Sequence, residues 1–209
     1  MAAYTTVRGT AKSTVTVKKS RFLGLIAPVR SEAEAAALLE LRKKQYRDAT
    51  HHCYAYILGD RQDIVRSSDD KEPAGTAGVP MLEVLKNAGL TDIILVSTRY
   101  FGGTLLGAGG LKRAYTKSAQ ETLEAAVKVR CTPCDIVETV MDYAAWGRAE
   151  SVFLHKGFAV KDAVYTDKVT LTLLIEKGSL PEFEAALAEI AGGRTAYTVK
   201  ESAYIQTAI

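Results

Sequence analysis

The apolar residues keep their clearest rhythm in the last third of the chain. Val169, Leu171, Leu173 and Ile175 alternate with more exposed neighbours, as a strand with one buried face requires. Ala145, Trp146, Ala149, Val152 and Phe153 fall on one face of a helix that runs through Lys156. Leu180, Phe183, Leu187 and Ile190 do the same for a second helix, with Ser179 and Glu182 as its capping pair and Gly192-Gly193 as its stop. Further strands are expected over 136–142, 158–165 and 194–204, the middle pair turning at Thr166-Asp167-Lys168. The order βαββαβ within so short a segment predicts a ferredoxin-like sandwich over residues 135–209.

The pattern of residues 1–131 is less regular. An apolar stretch over 21–29 predicts a strand, and Ser31 with Glu34 predicts a capped helix reaching about Arg47. Segments 53–58 and 63–67 flank the turn Gly59-Asp60-Arg61-Gln62 as a hairpin does. A short helix is expected from Val79 to Ala88, ended by Gly89, and then a strand at 93–97 apolar enough to be buried on both faces. Leu111, Ala114, Tyr115, Ala119, Leu123 and Ala126 recur at helical spacing, so the helix is expected to open at Leu111. The whole is α+β, with the domain boundary placed at Cys131-Thr-Pro-Cys134.

Composition narrows the class without naming a task. The 209 residues are 47% hydrophobic and 24% charged, the balance of a globular protein. No apolar run approaches the ~20 residues of a membrane helix, so no membrane partner is expected. The amino terminus lacks the apolar core of a secretory signal, and three cysteines make no disulfide framework. A cytoplasmic location is the expectation. Charge is uneven: residues 1–131 hold 20 Lys and Arg against 13 Asp and Glu, whereas residues 132–209 hold 7 against 11. A basic front domain permits contact with phosphates, and an acidic back domain suits a different partner.

Candidate chemistry gathers around three glycine-rich stretches, Ser68-Asp-Asp-Lys-Glu-Pro-Ala-Gly-Thr-Ala-Gly-Val-Pro80, Thr98-Arg-Tyr-Phe-Gly-Gly103 and Gly107-Ala-Gly-Gly-Leu-Lys-Arg113. So many glycines serve either tight turns between packed elements or a close approach to a ligand. Gly107, Gly109 and Gly110 before a helix, with Lys112 and Arg113 in its first turn and Arg99 at a strand end, make a candidate phosphate edge together with Tyr100, Gly102, Gly103 and Thr76. The spacing is neither a P-loop nor a dinucleotide fingerprint. Asp69, Asp70 and Glu72 offer hard oxygen ligands for Mg²⁺, weak candidates because adjacent aspartates on an extended chain diverge; no other cofactor is indicated. His52 shares a strand face with Tyr54 and Tyr56, a face able to stack bases or simply to pack, while His51 and Cys53 point the other way. Cys131 and Cys134 lack the further ligands zinc needs. Arg42, Lys43, Lys44 and Arg47 form either a solvated helix end or a basic patch.

Lys19-Ser-Arg-Phe22, His52-Cys-Tyr-Ala-Tyr56 and the three glycine-rich stretches, extended to Leu82 and Tyr115, resemble the signature blocks of the YigZ/IMPACT family. The resemblance spans most of residues 15–127, and the tail resembles the C-terminal domain of bacterial members. It implies a front domain of the ribosomal-protein-S5 second-domain type and a back domain like the last domain of the translocation elongation factor. It also implies a link to translation, which eukaryotic members regulate under amino-acid starvation. One departure stands out: the acidic block of the family reads Asp-Asp-Gly-Glu-Pro, and Lys71 replaces the glycine here. If that glycine held positive φ, lysine costs about 1 kcal/mol there.

Three functions follow as expectations. The first is a non-catalytic factor that binds RNA, the ribosome or a translation partner through the basic glycine-rich edge. The second is a Mg²⁺-dependent enzyme on a phosphorylated small molecule or nucleotide, with Thr76 and His52 as reactive groups. The third is a protein-interaction module that docks a basic partner on its acidic back domain.

Overall fold

The protein, seen in a computed structural model, is described over residues 1–192 and 196–209. The elements in chain order are β1 (Tyr4–Arg8), β2 (Ala11–Val17), β3 (Ser20–Pro28), α1 (Glu32–Gln45), β4 (His51–Leu58), β5 (Ile64–Ser68), α2 (Gly78–Asn87) and β6 (Ile93–Tyr100). Then come α3 (Gly107–Glu124), β7 (Val127–Met141), α4 (Tyr143–Lys156), β8 (Ala159–Tyr165), β9 (Val169–Glu176), α5 (Leu180–Ala191) and β10 (Tyr197–Ala208). The chain divides into two compact units, residues 1–130 with 207–209, and residues 131–206. Both are α+β. No described helix is long and apolar enough to cross a membrane.

The first unit is built on an antiparallel sheet in the order β2-β3-β6-β4-β5. Its central strand β6 is buried from Ile93 to Arg99, because both faces are covered. Ile94 and Val96 face α1 and pack with Ala35, Val29 and Leu58. Ile93 and Leu95 face α2 and α3 and pack with Met81, Leu85, Tyr115 and Ala119. Ser31 caps α1 as expected, its side chain accepting from the Glu34 N–H at 3.2 Å. The Glu34 carboxylate accepts from the Arg30 N–H at 2.8 Å, so the return bond reaches one residue further back.

Two features depart from the sequence pattern. The β2–β3 hairpin turns on Lys18-Lys19 with φ of +45° and +67°, a tight turn without the usual Asn or Gly. Helix α3 opens at Gly107 and not at Leu111, so Lys112 and Arg113 lie in its second turn. Gly107 itself has φ +71°, which a side chain would strain.

In the second unit β7, β9 and β8 are antiparallel neighbours, and β10 pairs with the other side of β7. Counted within the unit, the order across the sheet is fourth, first, third, second, the ferredoxin-like arrangement. Val169, Leu171, Leu173 and Ile175 are all fully buried, and Ala149, Phe153, Phe183 and Leu187 close the core above them. Asp142 caps α4, accepting from Ala145 N–H at 2.7 Å. Ser179 makes no side-chain cap for α5; Pro181, the second residue of that helix, lies in its first turn, where proline is tolerated. Gly193 and Arg194, expected to end α5 and open the last strand, lie outside the described residues.

The acidic loop between β5 and α2 is organised from within. The Asp69 carboxylate accepts from the N–H groups of Gly75 (2.8 Å), Ala77 (2.9 Å) and Gly78 (2.8 Å), which holds the entry to α2. Burial pushes this carboxyl up, but the three N–H donors outweigh burial and hold it below its ordinary value. Asp70 and Lys71 follow with φ of +40° and +69°.

Two outcomes are expected. Replacing Asp69 by Asn should cost about 1–3 kcal/mol at neutral pH in denaturant unfolding. A depressed carboxyl contributes above its unfolded value (about 3.9) and stops contributing as pH falls through the lower folded value, so the gap from wild type should close in acid. Lys71→Gly should stabilise the protein by about 1 kcal/mol, read as a melting shift of roughly 2–4 °C, because glycine carries no penalty at positive φ.

Candidate functional site

A cleft of about 390 Å³ opens where the start of β4, the acidic loop, the end of β6 and the start of α3 meet. The three glycine-rich stretches do converge here, through Glu72, Pro73, Arg99, Phe101, Gly107 and Ala108. Its floor is polar. One oxygen of Glu72, Oε1, accepts from Arg99 Nη1 at 2.6 Å and from the Tyr115 hydroxyl at 2.7 Å. Arg99 Nη2 reaches Ser20 Oγ at 3.3 Å, and its Nε has no partner although it is sealed from solvent. The guanidinium sits between the rings of Phe22 and Phe101, 5.5 and 5.6 Å away. Cys53 Sγ is 3.2 Å from the Tyr115 hydroxyl, and burial pushes both groups far up, so both stay protonated.

This corrects the role given to Arg99. Only 4% exposed, it answers an internal carboxylate and does not stand at an open ligand edge. The strand pattern placed it at the edge but could not show a partner 27 residues away in sequence.

The metal candidates separate in the same way. Asp69 is saturated by backbone N–H groups, Asp70 Oδ2 accepts from the His52 N–H at 2.6 Å, and Glu72 belongs to Arg99 and Tyr115. Each carboxylate thus answers a different protein group. Among the described residues, no three His, Cys, Asp or Glu side chains converge as a metal requires. The exposed Lys71 adds nothing to that cluster.

His52 lies on the α1 side of the sheet, its Nδ1 3.1 Å from Thr98 Oγ1, and burial pushes its imidazole down, leaving it neutral. Tyr54 and Tyr56 share that face, half-buried, stacked 6.1 Å apart and packed against the α1 cluster. Arg42 is buried below them: its Nη2 donates to the Leu23 carbonyl at 3.0 Å and it rests on the Tyr46 ring at 4.3 Å. It is no part of a basic patch. Thr76 donates to the Pro73 carbonyl at 2.6 Å, an internal bond of the acidic loop. The Tyr100 hydroxyl donates to Asp48 at 2.8 Å, and Arg21 covers its ring. Gly102 is explained by packing: a Cβ there would collide with the backbone of Lys19 and Ser20. Gly103 and Gly109 are exposed.

The residue that sequence reasoning passed over is His51. It is hydrogen-bonding neighbour to Arg99 across the β4–β6 ladder and lines the cleft. Its Nδ1 sits 2.8 Å from the Asp70 carbonyl, and since a carbonyl only accepts, that nitrogen carries the hydrogen. Nε2 lies 3.8 Å from Glu72 Oε1. The period-two rule, which put His51 and Cys53 opposite His52, was the signal available.

Beside the cleft, sharing Leu106 with it, runs a groove of about 240 Å³ lined by Lys18, Arg113 and Lys117. Lys18 comes from the β2–β3 turn and the other two from α3, and their chain neighbours Lys19 and Lys112 are exposed. Lys117 faces Glu121 at 3.7 Å, a solvent-exposed pair of little strength. Among the described residues, no carboxylate pairs with Lys18, Lys19, Lys112 or Arg113.

Comparison with known proteins agrees with the blocks noted above. Residues 18–123 match the Impact N-terminal domain, and residues 139–194 match a domain of unknown function. The IMPACT family member YvyE of Bacillus subtilis is 38% identical over 99% of this chain and 95% of its own. The IMPACT family member YigZ of Escherichia coli is 34% identical over 85% and 88%. A crystal structure of a hypothetical protein matches 96% of this chain and 98% of its own at 31% identity, with a TM-score of 0.63. Identity at this level across nearly the whole length, with the N-terminal domain matched over its signature blocks, means that the chain belongs to the IMPACT family.

Proposed function

We propose that the protein is a translation-associated factor that binds RNA through the groove between the β2–β3 turn and α3. The observation that carries this is the groove lined by Lys18, Arg113 and Lys117, whose chain neighbours Lys19 and Lys112 are also exposed. Four of these five cations form no ion pair with a carboxylate, whereas Arg42 and Arg99 of the same unit are buried and committed. Clustered unpaired cations repel one another, and that cost is offset when phosphates replace their counterions. The family's link to translation favours a structured RNA, free or in the ribosome, as the source of those phosphates. The carboxylates that an Mg²⁺ enzyme would need are occupied, so the site supports binding better than turnover.

Binding of tRNA, measured across a salt series, should fall steeply as salt rises. Replacing Lys18 and Arg113 together by Gln should weaken it for every RNA sequence alike and lower the log–log salt slope by about 1–2. Because both side chains are exposed, stability should stay within about 0.5 kcal/mol of wild type. No binding at low salt, or a double variant with the wild-type slope, rejects the proposal.

A further inference from the structure

Phe101 and Leu105 are large apolar side chains left 47% and 84% exposed, and both line the cleft. Pro73, Leu106 and Leu111 complete an apolar wall around the charged floor. That floor is occupied from within, since Glu72 and Arg99 answer each other at 2.6 Å. What the cleft offers a visitor is therefore a surface to cover, and covering exposed apolar area is favourable without any directional bond. Its volume, about 390 Å³, lies near the lower end of ligand clefts, roughly 300–1,000 Å³, which suits one flat ring system and not a run of them.

The segment that bears Phe101 is fixed in place. Its own N–H donates to Thr50 Oγ1 at 3.2 Å, and the next N–H, of Gly102, donates to Ser20 Oγ at 3.1 Å. Gly102 packs on the backbone of Lys19 and Ser20, so the β2–β3 turn that carries Lys18 is held against the segment that carries Phe101. The Arg99 guanidinium lies 5.6 Å from the Phe101 ring centre. Leu106 lines both the cleft and the cationic groove, so the two are neighbours. An aromatic ring beside a cationic track is how proteins hold single strands: the cations follow the phosphates, and a base stacks on the ring whatever its identity. In a double helix the bases stay stacked on one another and do not reach such a ring.

We infer that the cleft receives one unpaired base of the RNA whose phosphates lie along Lys18, Arg113 and Lys117, so that the protein selects single-stranded stretches over duplex. This rests on the RNA reading above and names the form of RNA that is recognised. Charge alone favours the duplex, whose phosphates are denser; the apolar cleft reverses that order by holding a base only an unpaired strand can supply.

The test uses the full-length protein and three probes: a short unstructured pyrimidine strand of RNA, the duplex it forms with its complement, and inorganic polyphosphate, which carries charge without bases. The strand should bind about tenfold more tightly than the duplex and should shift the Phe101 ring signals in NMR spectra, assigned with Phe101→Leu. Duplex and polyphosphate should bind in the groove and leave those signals unmoved. Replacing Phe101 and Leu105 together by Ala should weaken strand binding about tenfold, with duplex affinity and its salt slope as in the wild type. The comparison of probes needs only the unaltered protein, so it decides the matter even where that variant folds poorly. A strand that binds no tighter than the duplex, or a Phe101 ring that responds to polyphosphate, overturns the base site and leaves the groove reading standing. Strand binding with an unmoved Phe101 ring does the same, and leaves the cleft to an apolar segment of a protein. No binding of strand or duplex at low salt overturns the RNA reading, and this inference with it.

Discussion

The ion pair between Glu72 and Arg99 decides the shape of the first unit. Both side chains are almost wholly buried, and one carboxylate oxygen holds the guanidinium and the Tyr115 hydroxyl together. Three separate parts of the chain are fixed by that one atom: the acidic loop, the end of β6 and the middle of α3. Burying two charges is expensive unless geometry and further hydrogen bonds compensate. Here the flanking rings of Phe22 and Phe101, the Ser20 hydroxyl and Tyr115 provide that setting.

With Arg99 used inside, the surface cations have a different part. Lys18, Lys19, Lys112 and Arg113 lie at solvent without carboxylate partners, supplied by the hairpin turn and the exposed side of α3. The unit thus has two kinds of positive charge. One is sealed and structural, the other unpaired and available. Cleft and groove share Leu106 as a wall.

The second unit was legible from its residues because a single buried face sets β9, α4 and α5. Val169 to Ile175 alternate without a break, and α4 and α5 each show one apolar stripe. The first unit was harder to read. Its β2–β3 turn uses two lysines at positive φ, which carry no turn signal. β1 and β2 are rich in Thr, Ser and Lys, with burial confined to a few positions, so no alternation announces them. Helix α3 begins in a glycine run that looks like a loop. Arg99, Asp69 and Glu72 looked like ligands for an outside partner because residue type shows charge and hides distance. Arg99 and Glu72 meet at 2.6 Å from segments brought close only by folding, and Asp69 finds its N–H donors at 2.8–2.9 Å within its own loop.

A double-mutant cycle on Glu72 and Arg99 tests most directly whether this pair holds the unit together. Glu72→Gln and Arg99→Gln alone should each cost about 3–5 kcal/mol in denaturant unfolding, because each leaves a buried charge uncompensated. The double variant should cost less than the sum by about 2 kcal/mol or more. Single costs below about 1 kcal/mol that simply add would contradict the account, since the two groups would then be independent.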